Sequence, residues 1–102
     1  MGTSNQDWPF ADPQNVAVFT VRPIMEKRSP ILRVYHDEED GGWQFLEWGT
    51  PEQADFLLVA LKNVVAIDAS LRELADLPLG WRAWRKNKDA PWQREPSPPA
   101  GE

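Results

Sequence analysis

The chain has 102 residues, enough for one domain, and a formal net charge of −5, which opposes binding to the phosphates of nucleic acids. Cysteine is absent, which excludes disulfides and thiolate-ligated zinc. No apolar run approaches the roughly 20 residues that span a bilayer, and the first residues lack the basic and apolar segments of a secretory signal. We therefore expect a cytoplasmic protein whose partner is neither a membrane nor a nucleic acid.

The composition at both ends differs from that of the middle. Residues 1–7 are polar and small, and residues 93–102 combine proline with charge and can bury little apolar area. We predict a flexible N-terminus at 1–7, a single domain at 8–92 and a disordered, proline-rich tail at 93–102.

The first half of the domain is dominated by strand signals. β-Branched and aromatic residues predict strands at 16–21, 31–36 and 43–48, and one helical turn is expected at 24–27. Residues 37–42 separate the second and third strands and end in Asp-Gly-Gly, which supplies the positive φ angles of a tight turn. The second and third strands therefore form an antiparallel hairpin.

Residues 51–67 permit two interpretations. Thr50, Pro51 and Gln53 are typical of a helix start with a capping box, so one helix over 51–67 is possible. Residues 56–59 are apolar on all sides, as in a buried strand. We favour a helical turn at 51–54, a strand at 56–60 and a helix at 61–67.

The last third of the domain predicts one more helix and one more strand. Asp68 caps the helix, on which Leu71, Leu74 and Ala75 form one apolar face, and alternation predicts a strand at 80–85. The fold class is therefore α+β, with a small, mainly antiparallel sheet of four to five strands and two or three short helices.

Three motifs in order carry a family resemblance. They are DGGWQFL at 40–46, LKNVVAID at 61–68 and LADLPLGW at 74–81. Over roughly residues 15–92 the chain resembles a family of small uncharacterised bacterial proteins, a domain of unknown function that includes immunity-protein domains of polymorphic toxin systems. The resemblance implies a bacterial, non-enzymatic binding domain, and it brings no catalytic residues with it.

The stretch HDEEDGG at 36–42 holds the single histidine and four consecutive carboxylates. A calcium loop of the EF-hand type needs glycine at its sixth position, with an acidic ligand first and glutamate twelfth. If Gly41 is the sixth residue of such a loop, His36 occupies the first position, where an acidic ligand is required. If Gly42 is the sixth residue, Trp48 occupies the twelfth position, where glutamate is required. One histidine also does not make a zinc site, so we predict no metal and a solvated acidic turn, with weak cation binding left open.

No catalytic constellation is recognisable. As a general base His36 would need a nucleophile, yet Ser29 and Ser70 stand in no nucleophile motif, so His36 is interpreted as a structural hydrogen-bond donor. Glu38 and Glu47 could face each other across the hairpin, but nothing selects them among 16 acidic residues. No glycine-rich phosphate loop occurs. We expect no enzyme, no catalytic residue and no cofactor.

Six tryptophans are the most informative residues for function. Trp43 and Trp81 follow glycines at strand starts and are predicted in the core, while strict alternation places Trp48 and Trp84 on the opposite face. That face would also carry Gln44, Leu46 and Arg82. We favour the interpretation that residues 8–10 or 91–92 cover this face, since large exposed apolar patches are uncommon in monomers. If the face is not covered, we expect it to be the surface that binds a partner.

The function that these patterns favour is a non-catalytic protein-binding domain. Its specific form would be immunity-like, neutralising a basic, toxin-like protein that the acidic surface attracts. The candidate binding residues are Glu38, Glu39, Asp40, Trp48, Arg82 and Trp84. The alternative is a domain that binds carbohydrate or another small ligand on Trp48 and Trp84. The sequence leaves the oligomeric state open.

Overall fold

Six strands form one mixed sheet in an α+β fold, and short helices pack on one side of it. The computed structural model describes residues 8–49 and 53–98. The strands are β1 Ala17–Val21, β2 Arg33–His36, β3 Trp43–Leu46, β4 Phe56–Ala60, β5 Trp81–Trp84 and β6 Gln93–Pro96. The helices are α1 Arg22–Met25, α2 Leu61–Ile67 and a 3-10 helix at Ala69–Leu74, and a single 3-10 turn at Gln53–Asp55 precedes β4.

The strand order is β4-β1-β3-β2-β5-β6. β1 and β3 are parallel, and every other neighbouring pair is antiparallel. The predicted β2–β3 hairpin is present, with His36 opposite Trp43 and Arg33 opposite Leu46. The sheet is therefore mainly antiparallel as predicted, but with six strands it is larger than the four to five expected.

The extra strand comes from residues that the sequence placed in a disordered tail. β6 pairs with β5 along its whole length, and Arg82 of β5 lies 2.7 Å from the Glu95 carboxylate of β6. The proline content of this segment led to the wrong prediction. Pro96 can lie in β6 because β6 is an edge strand, so no further strand needs the backbone N–H that proline lacks. The rest of the predicted tail, 99–102, and the predicted flexible N-terminus, 1–7, lie outside the described residues.

The turn–strand–helix interpretation of residues 51–67 is confirmed for the part that the structure describes. The 3-10 turn, β4 and α2 follow one another directly. The proposed capping residues Thr50 and Pro51 lie outside the described residues. One feature of β4 differs from the prediction: the apolar run predicts a buried strand, yet Phe56 and Leu58 are exposed.

The core lies between the sheet and its helices. From the sheet it takes Trp43, Phe45, Val34 and Ala83, which share one face because alternate residues of a strand point the same way. The helices contribute Leu61, Val64, Val65, Leu71 and Leu74. As predicted, Trp43 is buried; Trp81 is only partly buried against the core.

Arg85, directly after β5, is a buried cation at 2% exposure. Its Nε donates to the Ile31 carbonyl at 3.0 Å, and its Nη2 forms an ion pair with the Asp68 carboxylate. The Trp92 ring lies 4.2 Å from the guanidinium carbon. Arg85 therefore ties the sheet to the N-cap of the 3-10 helix and to the segment before β6.

Burial opposes the charge of Asp68 and by itself would raise the pKa of that carboxyl. Hydrogen bonds from Ser70 and Arg85, together with the Arg85 charge, outweigh burial and hold the pKa of Asp68 below its ordinary value. The pair is therefore ionised at neutral pH.

Candidate functional site

One face of the sheet carries the helices and both terminal segments, and the opposite face is open among the described residues. Near the N-terminus, Phe10 packs edge-on against Trp43, with ring centroids 5.4 Å apart. Near the C-terminus, Trp92 donates to Ser70 of the 3-10 helix at 3.1 Å. The aromatic side chains of Phe10 and Trp92 therefore do not cover the Trp48 and Trp84 face as expected, because they pack on the helical side; of the residues expected to cover it, Pro91 lines a small cavity beside Trp84.

The registers of the six strands define this open face. One row crosses the whole sheet from β4 to β6, since each of its residues lies opposite the next. The row consists of Leu58, Phe19, Gln44, Tyr35, Arg82 and Glu95. A second row on the same face contains Phe56, Val21, Leu46, Arg33 and Trp84, of which Val21 and Leu46 are buried, so the face is open mainly along the first row.

The β4–β1 side of the open face is apolar and exposed. Leu58 is 62% exposed, Phe19 48% and Phe56 41%. We call these three residues the apolar patch. Of the five large apolar side chains exposed among the described residues, the patch holds three, Trp48 is a fourth, and only Leu79 lies elsewhere. The exposed apolar surface is thus concentrated on one face rather than scattered.

The β2–β5–β6 side of the open face is aromatic and charged. A shallow cavity of about 280 Å³ is lined there by Arg33, Tyr35, Trp48, Arg82, Trp84 and Glu95. We call it the tryptophan cavity. Three predicted binding residues, Trp48, Arg82 and Trp84, are brought together in it, and Trp48 is 49% exposed.

Arg33 is not among the binding residues predicted from the sequence, yet its hydrogen bonds fix the position of the segment that carries Trp48. Its Nε donates to the Glu47 carbonyl at 2.9 Å and its Nη2 to the Gly49 carbonyl at 2.6 Å, so it clamps the residues on both sides of Trp48. Its guanidinium carbon also lies 5.8 Å from the centre of the Trp48 ring. The alternation of β2, which puts Arg33 on the Tyr35 face, was the available signal.

Arg82 is equally constrained. Its Nε and Nη2 both donate to the same oxygen of Glu95, at 2.8 and 2.7 Å. The second oxygen of Glu95, the Nη1 of Arg82 and the second N–H of its Nη2 take no part in these bonds and can meet a ligand.

Two other residues predicted for this face are less available. Leu46 lies on this face as predicted, opposite Arg33, but it is only 6% exposed and packs into the core cluster, so it offers a partner little surface. Gln44 is half-buried, and its side-chain amide donates to Asp37 at 2.8 Å.

The remaining predicted binding residues, Glu38, Glu39 and Asp40, are exposed in the β2–β3 turn. The turn is closed by Asp37 N–H donating to the Gly42 carbonyl at 2.8 Å, and Gly41 takes the left-handed φ of 72°. The hairpin register puts this turn and Trp48 at opposite ends, separated by at least about 10 Å of strand. The six candidates thus form two groups, one at the acidic turn and one in the tryptophan cavity.

His36 has a structural environment, as interpreted from the sequence. Its Nδ1 donates to the Leu77 carbonyl at 2.7 Å, and its ring stacks on Trp43 with centroids 3.9 Å apart. Glu38 and Glu47 do not face each other, because the register places Glu47 beyond the far end of the hairpin. Within residues 8–49 and 53–98, no three histidine or acidic side chains are grouped so as to hold a metal ion.

Comparisons with family models, with curated proteins and with solved structures found no match to this chain. The resemblance to the bacterial family with immunity-protein members therefore remains a prediction. None of the helices within the described ranges is long and apolar enough to cross a membrane.

Proposed function

We propose that this protein is a non-catalytic protein-binding domain that uses its open sheet face to bind a basic protein partner. The observation that carries the proposal is the placement of four of the five exposed large apolar side chains on that face. Burying apolar surface is the main favourable term in protein association, and an exposed cluster of this kind is typical of an interaction site.

The composition of the open face supports a protein partner in particular. Interfaces are enriched in tryptophan, tyrosine and arginine, and hot spots are drawn from the same residues. Trp48, Trp84, Tyr35 and Arg33 lie together around the tryptophan cavity, and the apolar patch adjoins them across the sheet. The hydrogen bonds of Arg33 hold its side chain in place before binding, which lowers the entropy cost of association.

The negative charge of this protein supports the proposal that its partner is basic. The net charge is −5, and three consecutive exposed carboxylates stand in the β2–β3 turn. Such a surface speeds the approach of a positively charged protein. Within this proposal, the resemblance favours the immunity-like form, in which the partner is a basic toxin and the complex neutralises it in the bacterial cytoplasm.

The test is a pull-down from a lysate of the source organism, followed by affinity measurement on whatever is captured. The double variant Trp48→Ala/Trp84→Ala removes both indoles of the tryptophan cavity, and Leu79→Ala removes a comparably exposed side chain away from it. We expect a basic protein that binds the wild type and Leu79→Ala equally and the double variant at least about 10-fold more weakly. Equal binding to all three proteins, or no partner for the folded bait, would contradict the proposal.

A second candidate function is the binding of a carbohydrate in the tryptophan cavity. It is favoured by the pairing of two tryptophans with the Arg82–Glu95 ion pair, since an indole stacks on a sugar ring while the pair's free donor and acceptor meet its hydroxyls. Titration with a panel of sugars, read by tryptophan fluorescence, tests it: a saturable change absent from Trp48→Ala supports it, and no response across the panel contradicts it.

A further inference from the structure

The two edges of the sheet differ in their protection against pairing with another strand. β6 closes one edge with the sequence Gln-Arg-Glu-Pro, so it carries two charges and a proline. β4 closes the other edge with Phe-Leu-Leu-Val-Ala, which contains no charge and no proline. Charged residues and proline are the usual means by which proteins block edge-to-edge pairing. One edge is therefore blocked, and the other is not.

The backbone of β4 has hydrogen-bonding groups directed away from the sheet. In an antiparallel ladder only alternate residue pairs exchange hydrogen bonds. Leu61 N–H donates to the Val16 carbonyl at 2.9 Å, and continuing this alternation makes Leu57 and Val59 the residues of β4 that bond to β1. The N–H and C=O groups of Phe56, Leu58 and Ala60 then point outward, and no described strand pairs with them.

We infer that β4 pairs with β4 of a second copy of this chain, antiparallel and centred on Leu58. In that register the two Leu58 residues exchange N–H···O bonds, and each Ala60 N–H meets the Phe56 carbonyl of the other copy. This gives about four backbone hydrogen bonds, because the Ala60 carbonyl already serves the first turn of α2. The result is one continuous sheet across a two-fold axis.

The charges at the ends of β4 favour a second copy over an arbitrary strand. Asp55 stands immediately before β4, and Lys62 lies two positions after its last residue. Antiparallel pairing centred on Leu58 brings the residue before β4 of each copy, Asp55, next to the first turn of α2 of the other copy, which carries Lys62; within its own chain the Asp55 carboxylate lies 3.9 Å from Arg22. The strand thus presents opposite charges at its two ends, and antiparallel self-pairing matches them twice.

Apolar contacts across the axis supply the driving force. The 62% exposed side chain of Leu58 meets its symmetry equivalent at the axis, whereas Phe19 lies one strand farther from the axis, on β1 of each copy. The row across the axis then reads Phe19, Leu58, Leu58 and Phe19. The open faces of both copies stay on the same side of the extended sheet, so this inference does not require the proposed function.

The first test is sedimentation of the purified full chain without any partner, over a range of concentrations. We expect a dimer that dissociates on dilution and persists in Leu79→Lys, which adds the same charge at an exposed site elsewhere. Leu58→Lys places two like charges opposite each other at the axis and is expected to be monomeric. Phe19→Lys changes the open face but leaves the β4 edge intact, so it is expected to remain dimeric.

A second test reads the register directly. The chain contains no cysteine, so a single Leu58→Cys substitution creates one thiol. Opposed residues that exchange hydrogen bonds have Cα atoms about 5.5 Å apart, within the range of a disulfide. Under mild oxidation we expect Leu58→Cys to form covalent dimers at least about 10-fold faster than Leu79→Cys. A wild-type monomer at all concentrations, a dimer lost in Phe19→Lys but kept in Leu58→Lys, or equal cross-linking rates would overturn the inference.

Discussion

Phe19 and Leu58 lie directly opposite each other on β1 and β4, and both side chains are about half exposed to solvent. A cross-strand pair of large apolar residues normally stabilises a sheet by being buried against a second layer. Here the second layer is on the other side, where Val18, the neighbour of Phe19, is buried in the core. The pair therefore contributes less to folding than its size would allow, which fits the proposal that it contributes to binding.

Substitutions of Trp43 and Trp48, which lie on opposite faces of the sheet, should affect stability to very different extents. Trp43→Ala removes a buried ring that contacts Phe10, Phe45 and His36 and should lower the free energy of unfolding by about 3–5 kcal/mol. Trp48→Ala removes a half-exposed ring and should cost less than about 1 kcal/mol. Urea denaturation of both variants checks this expectation, and similar losses for the two would show that Trp48 is a core residue.

Removing the Asp68 carboxylate from its buried ion pair with Arg85 should lower the stability of the fold strongly. Asp68→Ala leaves the Arg85 guanidinium buried without its counter-ion, and we expect the free energy of unfolding to fall by about 3 kcal/mol. Asp76→Ala removes an exposed carboxylate paired with Arg94 and should cost less than about 1 kcal/mol. Chemical denaturation at pH 7 distinguishes the two, and equal small losses would mean that the Arg85 charge is satisfied without Asp68.

Stability should fall in acid partly because of Asp68. Its pKa is lower in the folded chain than in the unfolded one, so its contribution is complete above the unfolded pKa of about 4 and is lost as the pH falls through the folded value. Between about pH 5 and pH 2 the wild type should therefore lose more stability than Asp68→Asn. Urea denaturation across that range tests the sign, and parallel pH profiles would contradict it.

The acidic turn should govern the rate of association with the captured partner. Reversing Glu38, Glu39 and Asp40 to lysine should slow association at low salt by about 10-fold or more, and added salt should shrink the difference. A control of equal net charge reverses three exposed acids elsewhere. They are Glu73, Asp76 and Asp89. Surface plasmon resonance at two salt concentrations measures the effect, and an equal slowing by both sets would show that net charge, not the turn, is responsible.

Local signals in the sequence predicted most of the elements. The Asp-Gly-Gly ending of residues 37–42 predicted the hairpin, and the start pattern followed by an apolar run predicted the turn, β4 and α2. Both depend on neighbouring residues only, so no long-range information was needed. The core position of Trp43 was predicted from its place after a glycine at the start of a strand.

Long-range relationships could not be predicted in the same way. The parallel contact of β1 with β3 joins strands that are separated by α1 and β2, and no local pattern encodes it. β6 forms because β5 offers it an edge, although its own composition indicates disorder. The ion pair of Arg85 with Asp68 depends on the same kind of contact, so alternation alone gave no sign of a buried charge.

The candidate site was predicted in its parts but not in its arrangement. Alternation correctly put Trp48 and Trp84 on one face with Arg82, and the structure gathers them around one cavity. The sequence did not show that Phe10 and Trp92 are used on the helical face, which decides whether the other face is open. It also did not show that the acidic turn lies at the far end of the hairpin from Trp48.

The most direct test of the binding proposal uses the indole N–H signals of the six tryptophans in a nitrogen-15 NMR titration with the captured partner. Trp8, Trp43 and Trp92 donate their indole N–H groups to Asp12 and Ser70 on the helical side, whereas Trp48 and Trp84 line the cavity of the open face. If the open face binds the partner, the signals of Trp48 and Trp84 shift or broaden while those of Trp8, Trp43 and Trp92 stay in place. If the signals of Trp8 and Trp92 move instead, the partner binds the helical side and the proposal is wrong.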